Sequence, residues 1–164
     1  AGALDPLLAA RPAALVVANR TVAKAQAMIE RFAAGAARLD VALSAATLEA
    51  PGAGFDVLVN ATAASMQGAV PALPAGTLKP GALALDMMYG AATLPFLRWA
   101  RGQGAIARDG LGMLVEQASE AYFLWMGVRP ATFQVLTDLR RDVDAAAAAV
   151  QAAEESGRGA GAGA

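Results

Sequence analysis

Residues 15–24 read Leu-Val-Val-Ala-Asn-Arg-Thr-Val-Ala-Lys. The apolar, β-branched start has the length of a buried strand, and Thr21 then stands as the N-cap of a helix that opens at Val22. Arg20 and Lys24 crowd the start of that helix. A helix N-terminus carries about half a positive charge and favours Asp or Glu, so two cations there cost on the order of 0.3–1 kcal/mol each. The arrangement is built to meet an anion.

Working outward, apolar runs of strand length alternate with helical patterns. Strands are expected at 14–19, 40–44, 55–60, 82–87 and 105–108, and helices at 4–10, 21–34, 93–102, 111–126 and 131–154. Such alternation predicts an α/β fold with a parallel sheet. The Pro- and Gly-rich segment 63–81 reads as a loop with one helical turn near Ala75 to Leu78. The tail from Ser156, SGRGAGAGA, has nothing to bury and is expected to be disordered; the alanine-rich stretch before it is helical on propensity alone. The division expected is a partial dinucleotide-binding domain over 1–142 and a helix end with tail over 143–164.

Composition excludes several function classes. The 164 residues suffice for one domain with a sizeable core. Hydrophobic residues make up 57%, a share inflated by alanine. No run approaches the roughly 18–20 apolar residues of a membrane span. Thirteen basic residues stand against fourteen acidic ones, with no basic stripe to track a phosphate backbone, so no nucleic-acid partner is expected. With no Cys and no His, thiolate nucleophiles, zinc centres and imidazole acid–base chemistry are excluded, and no metal site is expected. The start, AGALDPLLAARP, lacks the pattern of a signal peptide, and a cytoplasmic protein is expected.

In open parallel sheets, ligands bind beyond the carboxyl ends of the strands. That rule selects Asn19, Arg20 and Thr21; Ala61 and Thr62; Met88 and Tyr89; and Asp109, Gly110 and Gly112. In a dinucleotide fold the end of the second strand reads the adenosine ribose, with an acidic residue for NAD or an Arg for the 2′-phosphate of NADP. Here the position holds Asn19-Arg20, with Lys24 one turn on. The anion is then the 2′-phosphate, met by a guanidinium fork and an ammonium at a helix start.

Several segments carry a family resemblance. Asn19-Arg20-Thr21 with Lys24, Asn60-Ala61-Thr62, Asp86-Met87-Met88-Tyr89, Pro95-Phe96-Leu97, Asp109-Gly110-Leu111-Gly112-Met113-Leu114-Val115-Glu116-Gln117 and Trp125-Met126-Gly127 follow one another in an ordered set. Over about residues 2–142 that set resembles the nucleotide-binding half of the shikimate dehydrogenases. The short tripeptides are weak singly; DGLGMLVEQA is specific. The resemblance implies NADP as cofactor and the reduction of 3-dehydroshikimate to shikimate, toward chorismate and the aromatic amino acids. It also implies a Rossmann-like sheet lacking its first strand, with a C-terminal helix that packs back on a substrate domain.

Residue by residue, the resemblance makes Arg20 and Lys24 the ligands of the 2′-phosphate, with Asn19 and Thr21 in the same turn. Thr62 covers one face of the adenine, and Asn60 shapes the turn beneath it. Met87 lines the cofactor pocket, the Gly110 carbonyl bonds the nicotinamide amide, and Met113 packs on the nicotinamide face. Tyr89 points its hydroxyl at the substrate carboxylate, and Gln117 bonds a substrate hydroxyl. Met113 and Gln117 are four apart, on one helix face.

The family's glycine-rich phosphate loop is expected just before residue 1, with Ala1-Gly2-Ala3 as a remnant. Its substrate domain, with the Lys and Asp that handle the proton, is not in this sequence, so no catalytic residue is expected here. Lys24 is assigned to phosphate, and Lys79 lies toward the opposite edge. The expectation is a chain truncated through the phosphate loop and inactive by itself. A short-chain dehydrogenase would need Tyr-x-x-x-Lys, whereas Tyr89 is followed four later by Thr93 and Tyr122 by Met126. A non-catalytic NADP-binding module, an inactive fragment and a quinate/shikimate paralogue stay open.

Overall fold

The computed structural model describes residues 2–62 and 69–161, with backbone alone for 153–161. The chain forms two compact units, Ala1–Phe55 with Pro71–Lys79, and Asp56–Val70 with Pro80–Ala164.

The first unit contains α1 (Leu4–Ala9), β1 (Ala14–Ala18), α2 (Val22–Arg38) and β2 (Ala42–Ala46). β1 and β2 run parallel, with Val16 opposite Ser44. Leu8, Ala36 and Val41 form the core cluster, joined by Leu15, Phe32, Leu39 and Leu43. α2 continues to Arg38 rather than ending near 34, because Ala36 anchors its last turn at 2% exposure and outweighs the helix-weakening Gly35. Asp40 then turns with φ 57°, and the Val41 amide returns to the Ala36 carbonyl at 3.0 Å. The second strand therefore starts two residues later than the apolar pattern predicts. Asp is among the residues that tolerate this left-handed geometry.

The second unit carries most of a three-stranded sheet ordered β3-β4-β5, from β3 (Phe55–Asn60), β4 (Leu78–Asp86) and β5 (Ile106–Arg108). β4 and β5 are parallel, with Ala84 opposite Ala107. A 3-10 turn (Ala91–Thr93) and α3 (Leu94–Gly102) connect them, and α4 (Leu111–Met126) and α5 (Phe133–Gly161) follow. Ala84, Phe96 and Ala100 are 0% exposed, and Leu111 is 1%. α5 packs on the 3-10 turn and on α4.

Three further departures from the sequence pattern are seen. β4 begins at Leu78, through Pro80 and Gly81, because pairing extends the ladder where composition reads as loop; the Phe55 amide reaches the Thr77 carbonyl at 2.9 Å. Lys79 is thus in the strand, near its amino end. The helical turn expected around Ala75 to Leu78 is instead a bonded turn, with the Thr77 amide and hydroxyl both on the Pro74 carbonyl at 3.3 and 2.7 Å. The third is α5, whose backbone stays helical to Gly161, past Ser156. Residues 63–68 of the expected loop lie outside the described residues.

Among the described residues β1 pairs with β2 in one sheet, and β3, β4 and β5 form the other. The Rossmann-like α/β class expected from the sequence is what the chain adopts.

Candidate functional site

In the first unit the residues after β1 make a polar turn. The Thr21 amide donates to Asn19 Oδ1 at 2.9 Å, and the Lys24 amide to the Thr21 carbonyl at 3.0 Å. Thr21 occupies the N-cap position, but its hydroxyl makes no capping bond. A correction to the sequence reading follows: an asparagine-led turn, not the threonine side chain, organises this helix start. Arg20, Thr21 and Lys24 are exposed, and no acidic residue lies in the first turn of α2. Among the described residues neither cation makes an ion pair. Two exposed cations beside uncapped helix amides suit a phosphate.

In the second unit three strand ends are tied by buried polar groups. Asp86 is 0% exposed and Asn60 is 3% exposed. Asn60 Nδ2 donates to Asp86 Oδ2 at 3.1 Å, while Asp86 Oδ1 accepts the Met88 amide at 2.9 Å. Asn60 Oδ1 accepts both the amide and the hydroxyl of Thr62, at 3.1 and 2.8 Å. The Met87 amide closes the circuit on the Asn60 carbonyl at 3.0 Å. Paired in this way, the polar groups escape the penalty of burial, and the turns carrying Thr62 and Met87 are held.

Gly110 joins the third strand end. Its amide donates to the Met88 carbonyl at 2.7 Å, and a Cβ there would lie 2.3 Å from the Met87 oxygen. Only glycine permits that approach. The Gly110 carbonyl accepts the Leu114 amide at 3.0 Å, which leaves its second lone pair for another donor. Met87 and Met113 are half-buried, Gln117 is exposed, and Tyr89 is 44% exposed. All four side chains thus retain surface that a ligand can cover.

Asp86 and Asp109 stood in the selected segments without an individual role, and Arg140 was not singled out. Asp86 carried a signal, since a carboxylate inside the apolar run ALALDM must find partners. Asp109 forms a two-point ion pair with Arg140. Burial is the largest influence on Asp109 and opposes its charge. The Arg140 hydrogen bonds, the Leu111 amide, the Arg140 charge and the Gly90 amide outweigh it together and hold the carboxyl below its usual range. On Arg140 the Asp109 hydrogen bond leads, raising its pKa.

A 260 Å³ hollow in the first unit is lined by side chains of α2 and by Val41 and Leu43, and touches no predicted site residue. Among the described residues no acidic group of metal-ligating size is found, and no helix is long and apolar enough to cross a membrane.

Comparison with known proteins bears on these residues. A family model described as the shikimate 5'-dehydrogenase C-terminal domain matches residues 110–135. Shikimate dehydrogenase (NADP(+)) of Acidovorax sp. strain JS42 is 55% identical over 147 residues, 90% of this chain and 52% of its own. The chain spans about half the length of the curated relatives it matches. An Ael1 enzyme from Pseudomonas putida is similar in structure, with a TM-score of 0.71 and 46% identity over 84% of this chain and 49% of that one. Shikimate 5-dehydrogenase of Thermus thermophilus, solved with NADP(H) and shikimate, gives a TM-score of 0.59 and 31% identity over 77% of this chain and 45% of its own.

Proposed function

This chain belongs with the shikimate dehydrogenases over the half of their length that it spans, and on that premise we propose that it is the cofactor-binding half of a cytoplasmic, NADP-dependent enzyme reducing 3-dehydroshikimate to shikimate. The observation that carries the reading is the 55% identity running over 90% of the chain. Residues 1–142 form the cofactor domain in this reading, and 143–164 a helical appendage with its tail.

Arg20 and Lys24 take the 2′-phosphate, on a turn shaped by Asn19 and Thr21. Their exposure and the acid-free helix start support this. Thr62, held by Asn60, covers the adenine, and Met87 lines the pocket. The Gly110 carbonyl accepts the nicotinamide amide, with Met113 against the ring. Bound NADPH supplies the hydride. Tyr89 and Gln117 orient the substrate by its carboxylate and a hydroxyl, and the proton is handled by the family's other half. The 164 residues alone therefore carry no turnover.

Joining the chain to the remaining half of the Acidovorax relative tests this. NADP-dependent oxidation of shikimate, followed as absorbance of the reduced cofactor, is expected from the joined protein and not from the chain alone. Quinate in place of shikimate separates the paralogue. A cooperative thermal transition with micromolar NADP binding by the chain alone, and no turnover when joined, would replace the enzyme reading with a stand-alone nucleotide-binding module.

A further inference from the structure

Asp109 follows directly on β5, and its side chain is 6% exposed. Its Oδ1 accepts the amide of Leu111, the first residue of α4, at 3.3 Å. Gly90, next to Tyr89, faces α5: a Cβ on it would stand 3.9 Å from the Val143 side chain. Arg140 of α5 closes on it with a fork, Nη1 to Oδ2 at 2.7 Å and Nη2 to Oδ1 at 2.5 Å. One carboxylate therefore ties the backbone beside Gly110 to a helix whose Arg140 is 31 residues away, and that helix also lies against Gly90, beside Tyr89.

α5 packs on the 3-10 turn and on α4, with Leu136, Val143 and Ala147 half-buried, while Phe133 is 81% exposed and Val135 50%. On that face the guanidinium fork fixes distance and orientation together, which apolar contact does not. Gly110 is meanwhile set against Met87 with no space for a Cβ, so a displaced Gly110–Leu111 backbone meets Met87.

We propose that Asp109 and Arg140 are positioning residues: the pair registers α5, and with it the Gly90 backbone beside Tyr89, against the Gly110–Leu111 backbone, and so sets the geometry of the nicotinamide and substrate end of the site. This rests on the functional reading above. The pair acts through the Leu111 amide and through α5 rather than by contact with cofactor or substrate. It leaves the 2′-phosphate end, at Arg20, untouched.

The test uses the joined protein with Arg140→Ala, Arg140→Lys and Asp109→Asn. Amide hydrogen exchange at Thr93, which bonds the Gly90 carbonyl at 3.1 Å, and at Leu111 is expected to rise about tenfold in Arg140→Ala while Ala84 and Ala107 stay protected. kcat is expected to fall about tenfold, with the preference for NADP over NAD unchanged, since a small misplacement at the reacting end is costly. Asp109→Asn, which keeps the shape and loses the charge, is expected to shift both readouts in the same direction. Arg140→Lys restores part of both, because one ammonium keeps the charge without the fork. Unchanged exchange at Thr93 and Leu111, or an equal rise across β4 and β5, overturns the proposal. If the local exchange pattern appears while the unsubstituted joined protein oxidises no shikimate, the positioning stands and the functional reading fails.

Discussion

β1 and β2 contain no fully buried residue, whereas β4 buries Leu78, Ala82, Ala84 and Asp86. The two units share one strand–helix grammar, yet their strand ends are built differently. After β1 stand exposed cations without ionic partners among the described residues. After β3, β4 and β5 stand buried polar groups that satisfy one another, and a glycine in contact with neighbouring backbone. In the proposed reading the first arrangement recognises by charge and tolerates movement. The second would recognise by shape, so that its geometry and its stability are one property.

The largest effect that would sharpen this contrast is expected at Gly110. Gly110→Ala drives a Cβ to 2.3 Å from the Met87 oxygen, and a loss of about 3 kcal/mol is expected as a fall in melting temperature. An unchanged melting temperature would mean that the second unit's edge is as yielding as the first.

A smaller effect is expected in acid. The carboxyl of Asp109 is held below its unfolded value of 3.8, so its contribution is complete above that pH and is lost as pH falls through the lower folded value. Trp99 and Trp125, the chain's tryptophans, both lie in the second unit. Their fluorescence in denaturant titrations should show the stability gap between the parent and Arg140→Ala closing below pH 3.8. A gap constant across that range would remove the ion pair from the account.

The smallest effect belongs to the first unit. Gly35 lies inside α2 with nothing within 4 Å of where a methyl group would stand, so Gly35→Ala is expected to stabilise by about 0.5–1 kcal/mol in the same melts. Destabilisation there would show tighter packing around α2 than its exposed strands imply.

What the sequence revealed follows the range of the interactions. Strand and helix identities were legible because their signals are local periodicities, and the strand ends from which the site is proposed follow from them. The early start of β4 was not, since Pro80 and Gly81 speak locally for a loop and only pairing overrides them. The Thr77 turn and the asparagine-led start of α2 likewise depend on which of several polar groups reaches the backbone first. The pairing of Asp109 with Arg140 was out of reach for another reason: they are 31 residues apart, and no spacing rule links a strand end to a distant helix face.

The central claim is that the cations after β1 read the 2′-phosphate while the second unit reads the reacting end. Equilibrium titration of the joined protein and its Arg20→Ala variant with NADP and with NAD tests it most directly. Loss of a charge-assisted fork, worth about 1.5–3 kcal/mol, should weaken NADP binding about 10- to 100-fold and leave NAD binding nearly unchanged. Equal loss for both cofactors, or no loss for either, would contradict the claim.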